Sequence, residues 1–557
     1  MQTILIIAAI LIVLAVMVVL NRIQNAKTVK LFRERLIKEF SIPLSADYSI
    51  DRMQSLSGYL KHHELSDIGI DDITWNDFDG DRLFKFINHS YSSIGDEYLY
   101  YWLHNPAASL EELDTTNFEK KINRLTTDEE LRLKLQILFA RLGRTGKFSI
   151  YDYLDYLSDV KKKSLFSFII VWIIYIAIFA LIFVNPAAGI VALIAFAFIH
   201  IFVYLNDKKD VEPFFVSISY ILRILLISKD IVEILPEEFS VEKESLTDLR
   251  KKLKNVNPIV SHIMKPTGGG DLANIIIDFF NILFSFDVFA FYIMYKEVMN
   301  HRDDIDEIIT IMGKLDSEIS VAAFRNSVPV WCNPQFNKTT GMKLTEVIHP
   351  LVESCVDNSF DIDKGMLLTG TNASGKSTFL RSVLISAVLA QTINTVTARE
   401  YQGDFYHIIS SIEVKDNLEN KDSYYMAEIK SIRRILEAGN GNHKVVCFVD
   451  ELLRGTNTIE RVSAASEIMK SMSKDNMLLF AATHDFELTE LLKDYYLNFH
   501  FTEEVLDDDI VFSYKLKNGV ATTRNAIRLL TLMGYPEEIT ENALNRAQNF
   551  IKTNRWE

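Results

Sequence analysis

The chain has 557 residues, 48% of them hydrophobic, and a formal net charge of −15. That length leaves room for several domains, and the acidic balance excludes a general attraction to nucleic acid, which rests on Lys and Arg neutralising phosphates. Three widely spaced cysteines, Cys332, Cys355 and Cys447, make no metal pattern and suit buried thiols in a reducing compartment.

In chain order, the first element is an uninterrupted apolar run from Ile4 to Leu20. At about 1.5 Å per residue it covers most of a hydrocarbon core of ~30 Å. No charge precedes it, whereas Arg22, Lys27, Lys30, Arg33 and Arg35 follow, the reverse of a signal peptide's flanks. Residues 1–21 are therefore expected to form a transmembrane anchor, with the N-terminus outside and the remainder inside. A helical region is expected over 45–160. Two further apolar runs, Leu165–Val184 and Ala187–Leu205, are joined by Asn185-Pro186 and flanked by Lys161-Lys162-Lys163 and Lys208-Lys209. This pattern describes a transmembrane hairpin over 164–205 with both ends on the basic, cytoplasmic side. A very apolar buried hairpin is the plainer alternative.

The helical region resumes over 211–330. Its basic run, Arg250-Lys251-Lys252-Leu253-Lys254, is the best local candidate for a phosphate-binding patch, although such runs are usually solvated helix faces. Asn274–Met294 is apolar but contains Asp278 and Asp287. One more crossing would carry the C-terminal half outside the cell, so this segment is expected to be a buried helix.

Asn333-Pro334, Thr339-Thr340-Gly341 and His349-Pro350 mark the entry to a C-terminal domain over 331–557. Here Met366-Leu367-Leu368 reads as a strand and Phe379–Leu384 as a helix, and the residues between them fit G-x-x-x-x-G-K-[ST]. Gly370, Thr371, Asn372, Ala373, Ser374, Gly375, Lys376, Ser377 and Thr378 are accordingly expected to cradle nucleotide phosphates. The glycines let backbone N–H groups converge, and the helix N-terminus adds partial positive charge. Lys376 is expected to reach the β- and γ-phosphates, and the Ser377 hydroxyl to ligate Mg²⁺. ATP and Mg²⁺ are thereby implied. A turn followed by a helix cap is the bland reading of the same residues.

Val445–Val449 is a continuous apolar run, as in a strand buried on both faces of a parallel sheet, and it ends in Asp450-Glu451. Asp450 is placed to hold the Mg²⁺ shell and Glu451 to polarise the attacking water. A third strand, Met477–Ala482, ends in Thr483-His484-Asp485, which puts His484 at a carboxyl end, the ligand side of an open α/β sheet. Asn498–Phe501 and Ile510–Leu516 read as a hairpin turning at Asp507-Asp508-Asp509.

The run Gly370-Thr-Asn-Ala-Ser-Gly-Lys-Ser-Thr378, then Asp450-Glu-Leu-Leu-Arg-Gly-Thr456, then Ala482-Thr-His-Asp-Phe-Glu-Leu-Thr489 resembles the ATPase domain of MutS-type proteins. Asp416-Asn417-Leu418 with Ser423–Glu428 resembles that family's signature loop and helix, and the resemblance assigns Ser423 to the γ-phosphate of a partner subunit's ATP. It likewise assigns Asn372 to sensing the γ-phosphate and His484 to the vicinity of the attacking water. Phe360 and Tyr514 fall near the positions that flank the adenine. Gly534–Ile539 and Ala543–Ala547 resemble the final helical pair that helps to form the dimer. Upstream, Ser92–Pro106 and the end of the helical region (Leu315-Asp316, Ala322-Ala323, Pro329) resemble the family's core domain. No counterpart of the mismatch-probing domain or of a full DNA-gripping clamp stands out, so mismatch recognition does not follow from the resemblance.

The expected fold is thus an α/β P-loop ATPase domain of ABC/MutS type, C-terminal to a mostly α-helical MutS-like core (lever) domain, with three transmembrane helices. The expected function is that of a membrane-anchored homodimer that sandwiches and hydrolyses ATP, with membrane lipid as a partner and DNA left open. Glu451, His484 and Lys376 would be its catalytic residues. An ABC-type transport ATPase shares the phosphate loop, but Leu-Ser-Gly-Gly-Gln is missing before the Asp-Glu strand. A nucleotide-switched membrane scaffold that does not bind DNA is a third reading.

Overall fold

The computed structural model describes residues 24, 26–43, 48–161, 163–254, 256, 279–337, 341–413, 424–505, 510–521, 527, 530–531, 533–553 and 555. The anchor expected at 1–21 lies outside them. The chain divides into two compact units, Met1–Glu64 with Lys85–Tyr101 and Thr116–Ser327, and Leu65–Phe84 with Trp102–Thr115 and Val328–Glu557.

The first unit is helical. Its principal helices are α1 (Ile50–His62), α2 (Glu129–Leu142), α3 (Phe166–Val184), α4 (Pro186–Val211), α5 (Phe215–Ile234), α6 (Phe286–Asn300) and α7 (Arg302–Ser327). Side-chain caps start several of them. Ser49 accepts the Arg52 N–H at α1, Asp128 accepts the Leu131 N–H at α2, and Asn185 accepts the Ala188 N–H at α4 just before Pro186. Along α7, Gly313 lies so close to the Ile94 carbonyl that a Cβ would stand 2.7 Å from its oxygen. Ser92 fastens the neighbouring turn, its hydroxyl donating to Asp316 at 2.5 Å. This is the stretch whose sequence resembles the family core.

The two apolar runs expected to form a hairpin are α3 and α4, each long and apolar enough to cross a membrane, with only 17% of its most apolar stretch buried. Ile176 and Phe183 on α3 and Phe198 on α4 face outward, whereas Tyr175, His200 and Tyr204 are buried. The basic ends are tied by ion pairs between Lys163 and Asp207 and between Lys208 and Asp287, the latter at 3.3 Å.

The segment Asn274–Met294 departs from the single buried helix expected. Among its described residues, the chain breaks at Ser285, whose φ is +53°, and α6 begins at Phe286. From Val288 on, α6 is the buried helix expected; the residues before it are not. Three members of the basic run have partners outside it. Arg250 donates to the Leu225 carbonyl at 2.6 Å, Lys251 bonds Asp248 at 2.8 Å and Lys252 bonds Asp304 at 2.7 Å. With Lys251 and Lys252 exposed, the run has the form of a solvated helix face with local ion pairs.

The second unit contains two sheets among its described residues. The smaller has the order β1-β5-β2-β3, from β1 (Gln335–Phe336), β2 (Met342–Val347), β3 (Asn358–Ile362) and β5 (Glu400–Gly403). The larger has the order β10-β9-β4-β8-β7-β6, from β4 (Met366–Thr369), β6 (His407–Ser411), β7 (Val445–Asp450), β8 (Met477–Ala482), β9 (Leu497–Val505) and β10 (Ile510–Asn518). Strands β9, β4, β8, β7 and β6 run parallel, and β10 returns antiparallel to β9. Its helices are α8 (Lys376–Thr392), α9 (Tyr424–Ala438), α10 (Thr458–Met472), α11 (Phe486–Leu491) and α12 (Glu537–Thr553).

Every residue of β4, β7 and β8 is buried. Because successive side chains point to opposite faces, Val445, Cys447 and Val449 join Met477, Leu479 and Ala481 beneath α9 and α10. On the opposite face Phe448 stacks on Phe480 at 5.2 Å, and Phe480 meets Phe360, which in turn meets Phe379 of α8. Covering both faces explains why these strands read as unbroken apolar runs. The helix Asp72–Asp77 closes the β6 edge. The Asp77 carboxylate accepts Ser410 Oγ at 2.6 Å and the N–H groups of Ile412 and Glu413 at 2.8 Å.

Candidate functional site

The loop from β4 to α8 gathers the site. Gly370 has φ +142° and Gly375 φ +100°, so both need glycine's conformational freedom. Space demands it too. A Cβ on Gly370 would stand 2.9 Å from Ser374 Oγ, and one on Gly375 would stand 3.1 Å from the Tyr514 ring. The backbone of Asn372–Ser374 makes one tight turn, and α8 starts at Lys376. Nearly the whole Lys376 side chain is buried, and its Nζ donates to the carbonyls of Gly370 at 2.6 Å and Thr371 at 2.9 Å. A cation folded over a ring of backbone groups is ready to exchange those carbonyls for an anion.

Strand β7 delivers two carboxylates. Asp450 Oδ2 accepts the Ser377 hydroxyl at 2.5 Å, while Oδ1 is buried with no hydrogen-bond partner among the described residues. Burial raises the Asp450 pKa, against the lowering effect of the Ser377 hydrogen bond. An orphaned buried carboxylate oxygen beside a hydroxyl is an oxygen donor set that suits Mg²⁺. Glu451 follows with φ +52°, and Leu453 with φ +59°, so the turn bends sharply through residues that are not glycine. Glu451 Oε1 lies 2.6 Å from His484 Nε2, and Oε2 accepts Arg454 Nε at 2.8 Å. The His484 hydrogen bond is the main reason why the Glu451 carboxyl stays below its ordinary pKa, ready to act as an acceptor.

Strand β8 delivers His484. The Thr483 N–H donates to the Leu368 carbonyl at 2.9 Å, which aligns the end of β8 with the loop, and His484 Nε2 comes to 3.4 Å from Lys376 Nζ. Lys376, Ser377, Asp450, Glu451 and His484, distant in sequence, are thus within one connected network. Beside it lies a cleft of about 430 Å³ lined by Ala373, Gly375, Thr378 and Phe379 on one side and by Asn358 and Tyr514 on another. Tyr514 lines this cleft. Phe360 does not, being part of the sheet core.

Ser423 lies outside the described residues, as do Asp416, Asn417 and Leu418. Two groups that matter here were not singled out from sequence. Glu428 of α9, nearly fully buried, accepts the Arg454 N–H at 3.2 Å and so ties α9 to the Glu451 turn. Arg454 clasps Glu451. Its place three residues after Glu451 was the available signal, but only the bent backbone turns the side chain back.

Residues 366–551 match the sequence profile of MutS domain V. Two proteins, each described as DNA mismatch repair protein MutS, from two strains of Clostridium kluyveri, are 29% identical to this chain over 296 residues. The match covers 48% of this chain and 33% of each relative, so the chain spans about a third of the length of the curated relatives it matches.

Proposed function

We propose, from the match of residues 366–551 to MutS domain V and the likeness to MutS proteins, that the chain is a MutS-family, membrane-anchored ATPase whose paired subunits bind and hydrolyse ATP·Mg²⁺ to drive conformational change. The observation that carries this reading is the convergence of Lys376, Ser377, Asp450, Glu451 and His484 at the carboxyl ends of β4, β7 and β8.

In this reading the Gly370–Gly375 amides and Lys376 bind the phosphates, Lys376 giving up its carbonyl partners. Ser377 and Asp450 would hold Mg²⁺, which would supply charge neutralisation to the phosphates. Glu451 accepts a hydrogen bond from the attacking water and orients it, and His484 keeps that carboxylate ionised. Arg454 must leave Glu451 free for that step. Ser423 of a second copy completes the γ-phosphate contacts, which makes the active species a homodimer. Helices α3 and α4 enter the bilayer as a hairpin, with their basic ends and the nucleotide site in the cytoplasm and the N-terminus outside. DNA is not required by any of these steps. Salt-dependent binding of duplex or branched DNA by the solubilised dimer would add it as a partner.

The test is retention and turnover of labelled ATP by the detergent-solubilised full chain. Glu451→Gln is expected to retain nucleotide and lose turnover, and Lys376→Ala to lose retention. Failure of the native protein to retain ATP in the presence of Mg²⁺ sinks the proposal, as does tagging that finds the C-terminal half outside the membrane.

A further inference from the structure

The residues just before α6 are inside out. Phe279 is 62% exposed and Phe280 54%, with Leu283 and Phe286 also facing outward, whereas Asn281 is 4%, Ser285 2% and Asp287 1% exposed. In water this arrangement is unfavourable on both counts, because it wets apolar area and desolvates polar groups. In hydrocarbon both signs reverse, and intramembrane polar residues characteristically face the protein interior. Helices α3 and α4 have the same inversion, and their buried polar side chains meet those of this segment. His200 lies 3.2 Å from Tyr175 Oη through Nδ1 and 3.0 Å from Ser285 Oγ through Nε2. Tyr204 donates to Asp287 at 3.0 Å, and Lys208 donates to Tyr204 at 3.1 Å.

At the backbone break of Ser285 one carbonyl is served from the hairpin and one N–H from within the segment itself. Trp172 Nε1 donates to the Phe284 carbonyl at 2.8 Å, and the Ser285 N–H finds the Asn281 carbonyl at 2.7 Å. Irregular backbone at membrane depth is tolerated only where protein satisfies it in this way.

We propose that Phe279–Phe286 is a lipid-facing element docked on the hairpin, its outer face covered by the acyl chains of the bilayer that α3 and α4 enter. The proposal rests on the membrane reading of that hairpin. Its outward phenylalanines continue the hairpin's apolar surface, and the Asn281, Ser285 and Asp287 side chains turn inward, away from the lipid.

The experiment places a photoreactive benzoylphenylalanine at Phe280, Ile176 or Ile459 in the full chain, reconstituted in phosphatidylcholine–phosphatidylglycerol vesicles, and reads lipid adducts by mass after irradiation. Ile176 is an outward hairpin residue and Ile459 an exposed apolar residue of α10. A lipid-adduct yield at Phe280 within about twofold of that at Ile176, and at least about tenfold above that at Ile459, is expected. Lipid adducts at Ile176 but only peptide adducts, or none, at Phe280 would overturn the proposal and leave the hairpin reading intact. Absence of lipid adducts at both positions overturns the two together. Should the Phe280 variant fail to fold, Leu283, on the same outer face, is read instead with the same expectation.

Discussion

Strand β7 and helix α3 are both written mostly in apolar residues, yet one is wholly buried and the other faces outward along most of its length. The difference lies in where their polar residues fall. In β7 the polar groups come last, so a short run is sealed between two helical layers and presents Asp450 and Glu451 at its open end. In α3 and α4 the polar groups fall within the runs, and they turn inward to one another. Apolar character alone therefore does not say which solvent a segment meets; the direction of its few polar side chains does.

The largest effect that would sharpen this comparison is at the strand end. Glu451→Gln should lower ATP turnover by about 10²–10⁴-fold, the range for loss of a general base, with nucleotide affinity retained, as measured by steady-state hydrolysis beside filter binding. Next comes the buried strand against the outward face of the hairpin. Phe448→Ala is expected to cost about 3–5 kcal/mol in denaturant unfolding of the second unit, whereas Phe183→Ala, 88% exposed, should stay within about 0.5 kcal/mol in detergent. Equal costs at the two positions would break the comparison.

A smaller effect follows from His349, buried beside Arg381 and Arg82. Burial, with those two cations adding to it, lowers its pKa to about 4. A histidine whose folded pKa is depressed contributes stability in full above its unfolded value of about 6.5, and loses it as pH falls toward the folded value. The unfolding midpoint should therefore decline between pH 6.5 and 4, and His349→Asn, which keeps an acceptor for the Leu351 N–H, should flatten that slope. The smallest change is Trp172→Phe, which removes one donor to the Phe284 carbonyl and should cost about 1 kcal/mol, read as a lower thermal midpoint in detergent.

Much of the site was legible because its chemistry is local. The Gly370–Ser377 spacing encodes a loop by itself, and Asp450 and His484 each follow directly on the apolar run that positions them. What could not be read was what depends on distant pairing. Asp77 closes the edge of β6 through Ser410, 333 residues away. Arg454 turns back on Glu451 only because Glu451 and Leu453 adopt positive φ. The segment before α6 resisted for another reason. Counting its apolar residues against its aspartates gives one number for the whole stretch, whereas the outcome depends on which side each residue takes, and that is fixed by Tyr175, His200 and Tyr204 elsewhere in the chain.

The ladder that joins the hairpin to Ser285 and Asp287 also orders the events of biosynthesis. Ser285 leaves the ribosome 85 residues after the His200 ring it meets. The newly made hairpin must therefore pass through a stage in which Trp172 lacks the Phe284 carbonyl, His200 lacks Ser285 and Lys208 lacks Asp287, with His200 and Lys208 left to Tyr175 and Tyr204 of the hairpin itself. During that interval water or the polar groups of another protein have to serve them, and the hairpin's polar ladder is complete only once the later segment has arrived.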